Sequence, residues 1–171
     1  LKRFGVWQGP KLRPCDDGAQ SCHNAATSCL DKLRCQSADF PARVADLFAA
    51  RIGRDKRGWA LCIGTDDIDS AYRRIYTASP GYTVTAVWNP DVGRTQYMVM
   101  VGFPFGLVSA VMYFNALPAL TASSARRLLG VVTDSYFDDF ATIGPSEWGT
   151  VPQRALRRLH ALLGIPFSDK K

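Results

Sequence analysis

An α+β domain, with an antiparallel sheet and helices packed on one face, is the fold class that the sequence predicts, and three observations predict it. Residues 130–135 and 140–145 are both β-prone and flank Tyr136-Phe137-Asp138-Asp139, so they read as the arms of a hairpin, the second closed by the Gly144-Pro145 break. An apolar run, Trp59-Ala60-Leu61-Cys62-Ile63, stops abruptly at Thr65-Asp66-Asp67, as a strand does when it delivers polar groups at its C-terminal end. Three segments, 42–52, 107–120 and 152–163, carry the apolar spacing of helices. The 171 residues, 47% hydrophobic, suffice for one domain with a real core and exclude a disordered chain.

Taken in order, Lys11-Leu12-Arg13 reads as a strand with both cations on one face, since alternate residues of a strand point the same way. The segment 42–52 is expected to be a helix with Val44, Leu47 and Phe48 inward. The strand ending at Asp67 gives way to a helix-like turn before Tyr72. Two further strands, 83–88 and 96–101, are marked off by turns at Gly81, Asn89-Pro90 and Gly93, and are expected to join the strand ending at Asp67 and the hairpin in one central sheet. The run from Leu107 to Leu120 is apolar, contains the small residues Ser109 and Ala110, and ends near Pro118; it reads as a buried helix, too short for the ~20 residues of a membrane span. In 152–163, Leu156, Leu159, Leu162 and Leu163 alternate with Arg154, Arg157 and Arg158 as in an amphipathic helix lying on the sheet.

The chemistry concentrates in the acids. Asp138 and Asp139 are like charges at a tight turn, and their repulsion brings the fold nothing unless a divalent cation or a basic group sits opposite. A solvated surface turn is the ordinary alternative. Asp66, Asp67 and Asp69 compete on spacing alone for the role of a carboxylate fixed at a strand end, and one of them could simply cap the following turn. If one of them meets the hairpin pair, oxygen-rich ligation of magnesium follows, with two ions about 3.5–4 Å apart, an arrangement suited to phosphoryl transfer.

Four blocks, in order, resemble the palm and part of the fingers of reverse transcriptases encoded by retroelements. They are Lys11-Leu12-Arg13-Pro14-Cys15-Asp16-Asp17; Asp67-Ile68-Asp69-Ser70-Ala71-Tyr72-Arg73; Phe103-Pro104-Phe105-Gly106-Leu107, continuing to Phe114-Asn115; and Tyr136-Phe137-Asp138-Asp139. A fifth, weaker likeness is Leu163-Gly164-Ile165-Pro166-Phe167-Ser168-Asp169-Lys170. The resemblance selects Asp67 over its acidic neighbours. It implies that Asp67 and Asp138 are the principal ligands of two magnesium ions, with the Ile68 carbonyl assisting and Asp139 as the second hairpin acid. It implies that Tyr72 lies under the sugar of the incoming nucleotide and leaves no room for a 2′-hydroxyl, that Lys11 and Arg13 meet the triphosphate, and that Phe105 and Gly106 contact template and nucleotide. Tyr72 as ordinary packing and Lys11 and Arg13 as solvated cations are the plain alternatives.

The activity so implied is RNA-directed DNA polymerisation on an RNA or DNA template with a primer and deoxynucleoside triphosphates. An RNA-dependent RNA polymerase palm and a catalytically inactive, nucleic-acid-binding relic are the competing readings. Residues 1–60 are expected to be mainly fingers-like and 61–171 palm, without a thumb or a ribonuclease H domain, as a fragment or decayed copy belonging to a larger polyprotein.

A net charge of +6 and a pI near 9.2 suit a phosphate-backbone partner, with basic residues gathered at Arg51, Arg54, Lys56 and Arg57, at Arg126-Arg127 and along 154–158. The five cysteines, Cys15, Cys22, Cys29, Cys35 and Cys62, lack a Cys-x-x-Cys pair and suggest free thiols in a reducing compartment, cytoplasm or nucleus. His23 beside Cys22 does not make a zinc knuckle at these spacings. Neither a signal peptide nor a membrane span is read from the sequence, and no membrane partner is expected.

Overall fold

The structure is a computed structural model and describes residues 1–30, 32–33, 35, 37, 39–52 and 60–169. Its elements run β1 (Lys2–Gln8), β2 (Lys11–Asp17), α1 (Phe40–Ile52), β3 (Leu61–Asp67), β4 (Val84–Asn89), β5 (Arg94–Val99), α2 (Val108–Leu129), β6 (Val132–Tyr136), β7 (Asp139–Pro145) and α3 (Val151–Leu162). Single 3-10 turns occupy Ala71–Arg74, Pro80–Tyr82 and Ser146–Trp148. The fold is mixed α+β, as the sequence predicts. Arg54, Lys56, Arg57, Trp59 and Lys170 lie outside the described residues.

The strands divide between two sheets, and the chain between two compact units, the first comprising Leu1–Leu33 and Ser70–Phe114 and the second Arg34–Asp69 and Asn115–Lys171. In the first unit the order is β2-β1-β4-β5. The β1–β2 hairpin turns at Gly9 and the β4–β5 hairpin at Gly93, glycines with φ of 61° and 62° that meet a need for left-handed backbone. β4 joins the first hairpin as a parallel neighbour of β1 in the register Lys2↔Ala86, held by the Leu1 amino group donating to the Val84 carbonyl at 2.6 Å. On one face of this sheet Arg3 donates to Asp16 through Nε at 2.8 Å, and Thr85 of β4 is fully buried. The expectation that β4 and β5 would share a sheet with β3 is therefore corrected: turn residues marked off the strands but carried no information on their partners, and β1, which supplies the partner edge, was not foreseen.

The second unit has the order β3-β7-β6, antiparallel throughout. Register pairs Asp66 with Phe140, Gly64 with Thr142 and Cys62 with Gly144, so these residues share one face. α3 packs there: Leu156 and His160 are fully buried, and Phe140 lies edge-on to the His160 ring at 4.8 Å. α2 does not stop near Pro118 as expected but continues to Leu129. Pro118 withholds a backbone N–H, yet it is fully buried along with Thr121, Ala122 and Ala125, and that packing outweighs the lost hydrogen bond. The inward stripes are also narrower than the leucine spacing implied. Leu47 is exposed while Val44 is buried, and Leu162 and Leu163 are exposed because the buried positions of α3 are Leu156 and His160, four residues apart. No described helix is long and apolar enough to cross a membrane.

Candidate active site

β3 ends at Asp67, and the register Asp67↔Asp139 sets this carboxylate opposite the second acid of the β6–β7 hairpin. Directly opposed residues of an antiparallel pair point to the same face, with Cα atoms about 4.5–5.5 Å apart. One step further, the Ile68 N–H donates to the Asp138 carbonyl at 3.0 Å, so the strand end and the hairpin turn are joined by their backbones. Asp67 and Asp138 are half-buried and Asp139 is exposed. Of the sequence-predicted site residues, Asp67, Ile68, Asp138 and Asp139 are thus brought together in the second unit.

The turn between them is strained. Phe137 has φ 54°, and a positive φ at the first central residue of a two-residue hairpin turn is the type II′ pattern, for which glycine is the ordinary choice. A bulky residue there costs roughly 1–3 kcal/mol. Its ring meets Tyr136 edge-on at 4.8 Å, which offsets part of that cost.

The face carrying Asp67 and Asp139 also carries Thr65, Ala141, Asp134 and Tyr136, by the same register. An apolar-lined cavity of about 650 Å³ opens on it, bordered by Phe40 and Pro41 at the start of α1 together with Thr65, Asp134, Tyr136 and Asp139. Helices therefore do not keep to one face: α3 covers the face of Asp66, and the first turn of α1 borders the acidic face.

Asp66 resolves one of the ambiguities left by spacing. It is almost fully buried on the face opposite Asp67, where its Oδ1 accepts from Arg157 Nε at 2.7 Å and lies 2.5 Å from the second guanidinium nitrogen. Strand alternation alone would have separated Asp66 from Asp67, but nothing in the sequence named Arg157 as the partner. His160, one turn further along α3, was not foreseen either. Its Nδ1 is bonded to the Ile165 carbonyl at 3.1 Å, its ring stacks on Phe167 at 4.0 Å, and burial pushes its pKa down to about 4 from the ordinary 6.5, against smaller opposing effects of the Ile165 carbonyl and the Asp66 charge.

The remaining predicted residues lie in the first unit. Lys11 and Arg13 are exposed on one face of β2, opposite Gln8 and Val6. Tyr72, in the turn after β3, packs against Phe105 with ring centroids 5.2 Å apart and against the buried Phe114 at 4.5 Å, and Arg73 lies over the Phe105 ring at 5.9 Å. Gly106, at φ 94°, needs its missing side chain within the unit, since a Cβ would collide with the Asp16 carbonyl. The segment after α3 turns at Gly164 (φ 72°) and returns to β3: the Ser168 N–H donates to the Asp67 carbonyl at 2.7 Å and the Asp69 N–H to the Pro166 carbonyl at 3.2 Å.

Among the described residues no set of three or more His, Cys, Asp or Glu side chains is already gathered around one point. The donor set itself, three carboxylates and a backbone carbonyl on two hydrogen-bonded segments, is all hard oxygen and fits magnesium.

No protein-family model and no curated protein matches this sequence.

Proposed function

We propose that the chain is the palm, with part of the fingers, of an RNA-directed DNA polymerase, and that it joins a deoxynucleotide to a primer 3′-hydroxyl. The observation that carries the reading is the pairing of the strand-end acid with the hairpin acids, Asp67 opposite Asp139 and Ile68 bonded to Asp138. The ordered likeness of four sequence blocks to reverse transcriptases supports it, and so does a turn that holds Phe137 in a conformation costly to any fold that gains nothing from it.

Asp67, Asp138 and the Ile68 carbonyl would hold the ions, with Asp139 beside them. Magnesium bound there would supply Lewis-acid lowering of the hydroxyl pKa and stabilisation of charge on the departing pyrophosphate. The reaction forms a bond between the primer 3′-oxygen and the α-phosphorus and breaks the bond from that phosphorus to the β-phosphate bridging oxygen. Tyr72, its ring backed by Phe114, would present a rigid flat surface to the sugar and disfavour a 2′-hydroxyl. Lys11 would meet the triphosphate as a point charge and Arg13 as a planar fork of donors.

The test is extension of a primed RNA template by the longest native reading frame that contains this segment, with magnesium, offering deoxynucleotides and ribonucleotides separately. Deoxynucleotide extension that disappears in Asp138→Ala is expected. Preference for ribonucleotides would move the assignment to an RNA polymerase, and a folded, soluble chain that extends nothing would make it an inactive relic.

A further inference from the structure

The end of β3 is pinned on several sides. Gln153 Nε2 donates to the Thr65 carbonyl at 3.1 Å, Ser168 to the Asp67 carbonyl, Ile68 to the Asp138 carbonyl and Asp69 to the Pro166 carbonyl. Within this frame one element is charged and buried: Asp66, 1% exposed, whose Oδ1 takes both contacts from Arg157 and whose Oδ2 has no hydrogen-bond partner. Among the described residues Arg157 is the one cation paired with Asp66. His160 cannot share that work at neutral pH, because burial keeps it uncharged and its Nδ1 is engaged by Ile165.

A buried carboxylate on a strand must be neutralised where it lies, so the helix that carries the cation fixes the position of the strand. Asp66 and Asp67 are consecutive and project to opposite faces. A shift of Asp66 toward its cation, or away from a lost one, therefore moves Asp67 in the same step.

We infer that Arg157 is a positioning residue for the Asp67 carboxylate: by holding Asp66 from α3, it sets the end of β3 against the hairpin acids so that a divalent cation can be shared between them. This rests on the polymerase reading above only in taking Asp67 and Asp138 as the ligands. It adds a residue on the opposite face of the sheet that never meets the ion. Groups that act through a ligand in this way typically change metal affinity by about 10–100-fold.

The experiment is Mn²⁺ titration of the folded chain, read by calorimetry, for the wild type and for Asp67→Asn, Arg157→Met, Arg157→Lys and Arg154→Met, the last an exposed position on the same helix. Far-UV circular dichroism and urea unfolding monitor the fold of each variant. The expected result is binding by the wild type that Asp67→Asn abolishes and Arg157→Met weakens about 10–100-fold, with most of the loss recovered in Arg157→Lys and none seen in Arg154→Met. If Arg157→Met does not fold, Arg157→Lys, which keeps the charge, carries the test, with binding several-fold weaker than wild type. Wild-type affinity in a folded Arg157→Met, or in Arg157→Lys when the methionine variant is unfolded, overturns the inference. A wild type that binds Mn²⁺ no better than Asp67→Asn overturns the ligand assignment beneath it, and so the two failures are distinguishable.

Discussion

Acid should loosen this chain through His160. The imidazole is fully buried against Phe140 and Phe167 and has its pKa lowered to about 4, chiefly by burial, with the Asp66 charge acting the other way. In the unfolded chain the same group titrates near 6.5. A folded value below the unfolded one means that the unfolded state takes up the proton first, so stability is complete above pH 6.5 and declines as pH falls from there toward 4. The gap between the two values corresponds to on the order of 2–3 kcal/mol lost by about pH 4.5. The perturbation that isolates the effect is His160→Gln, which removes the titration and keeps a polar group for the Ile165 carbonyl. Urea unfolding of both proteins from about pH 7.5 down to pH 4.5 should show the wild type losing roughly that much more stability than the variant. Equal slopes in the two proteins, or a folded-state titration of His160 near 6.5 by NMR, would refute the reasoning.

Two further substitutions probe the turn and the loop that the sequence singled out. Phe137→Gly should raise the urea midpoint slightly, because glycine accepts φ 54° without penalty; relief of the strain, less the lost Tyr136 ring contact and the greater freedom of glycine in the unfolded chain, leaves a gain below about 1 kcal/mol. Gly106→Ala should lower it by more than about 1 kcal/mol from backbone conformation alone, and further from the collision with the Asp16 carbonyl, as seen in the same urea titration.

Much of the second unit was legible because its signals are local. The β6–β7 hairpin, the strand ending at Asp67 and the arginine-rich helix near 152–163 each follow from a pattern carried within one short segment, and each forms where the pattern puts it, with α3 at Val151–Leu162. What could not be read was pairing across distance. β4 and β5 were recognised as strands, yet their place beside β1 depends on an edge 83 residues away in sequence, where Leu1 meets Val84. Helix ends were misjudged where tertiary packing overrides a breaker, as at Pro118. In the site, the sequence isolated the acids but left Asp66, Asp67 and Asp69 in competition, and it was silent on the pairing of Arg157 with Asp66 and on His160. An arginine on an amphipathic helix looks like any solvated arginine until the strand beneath it proves to bury an aspartate.

Single-nucleotide incorporation on a primed RNA template, comparing the wild type with Asp67→Asn and Asp69→Asn, tests the central claim most directly. The account predicts that Asp67→Asn abolishes incorporation while its circular dichroism and urea midpoint stay close to wild type, and that Asp69→Asn still incorporates. Incorporation by Asp67→Asn at the wild-type rate would contradict it, because the nucleotidyl-transfer centre would then lie elsewhere than at the meeting of β3 with the β6–β7 turn.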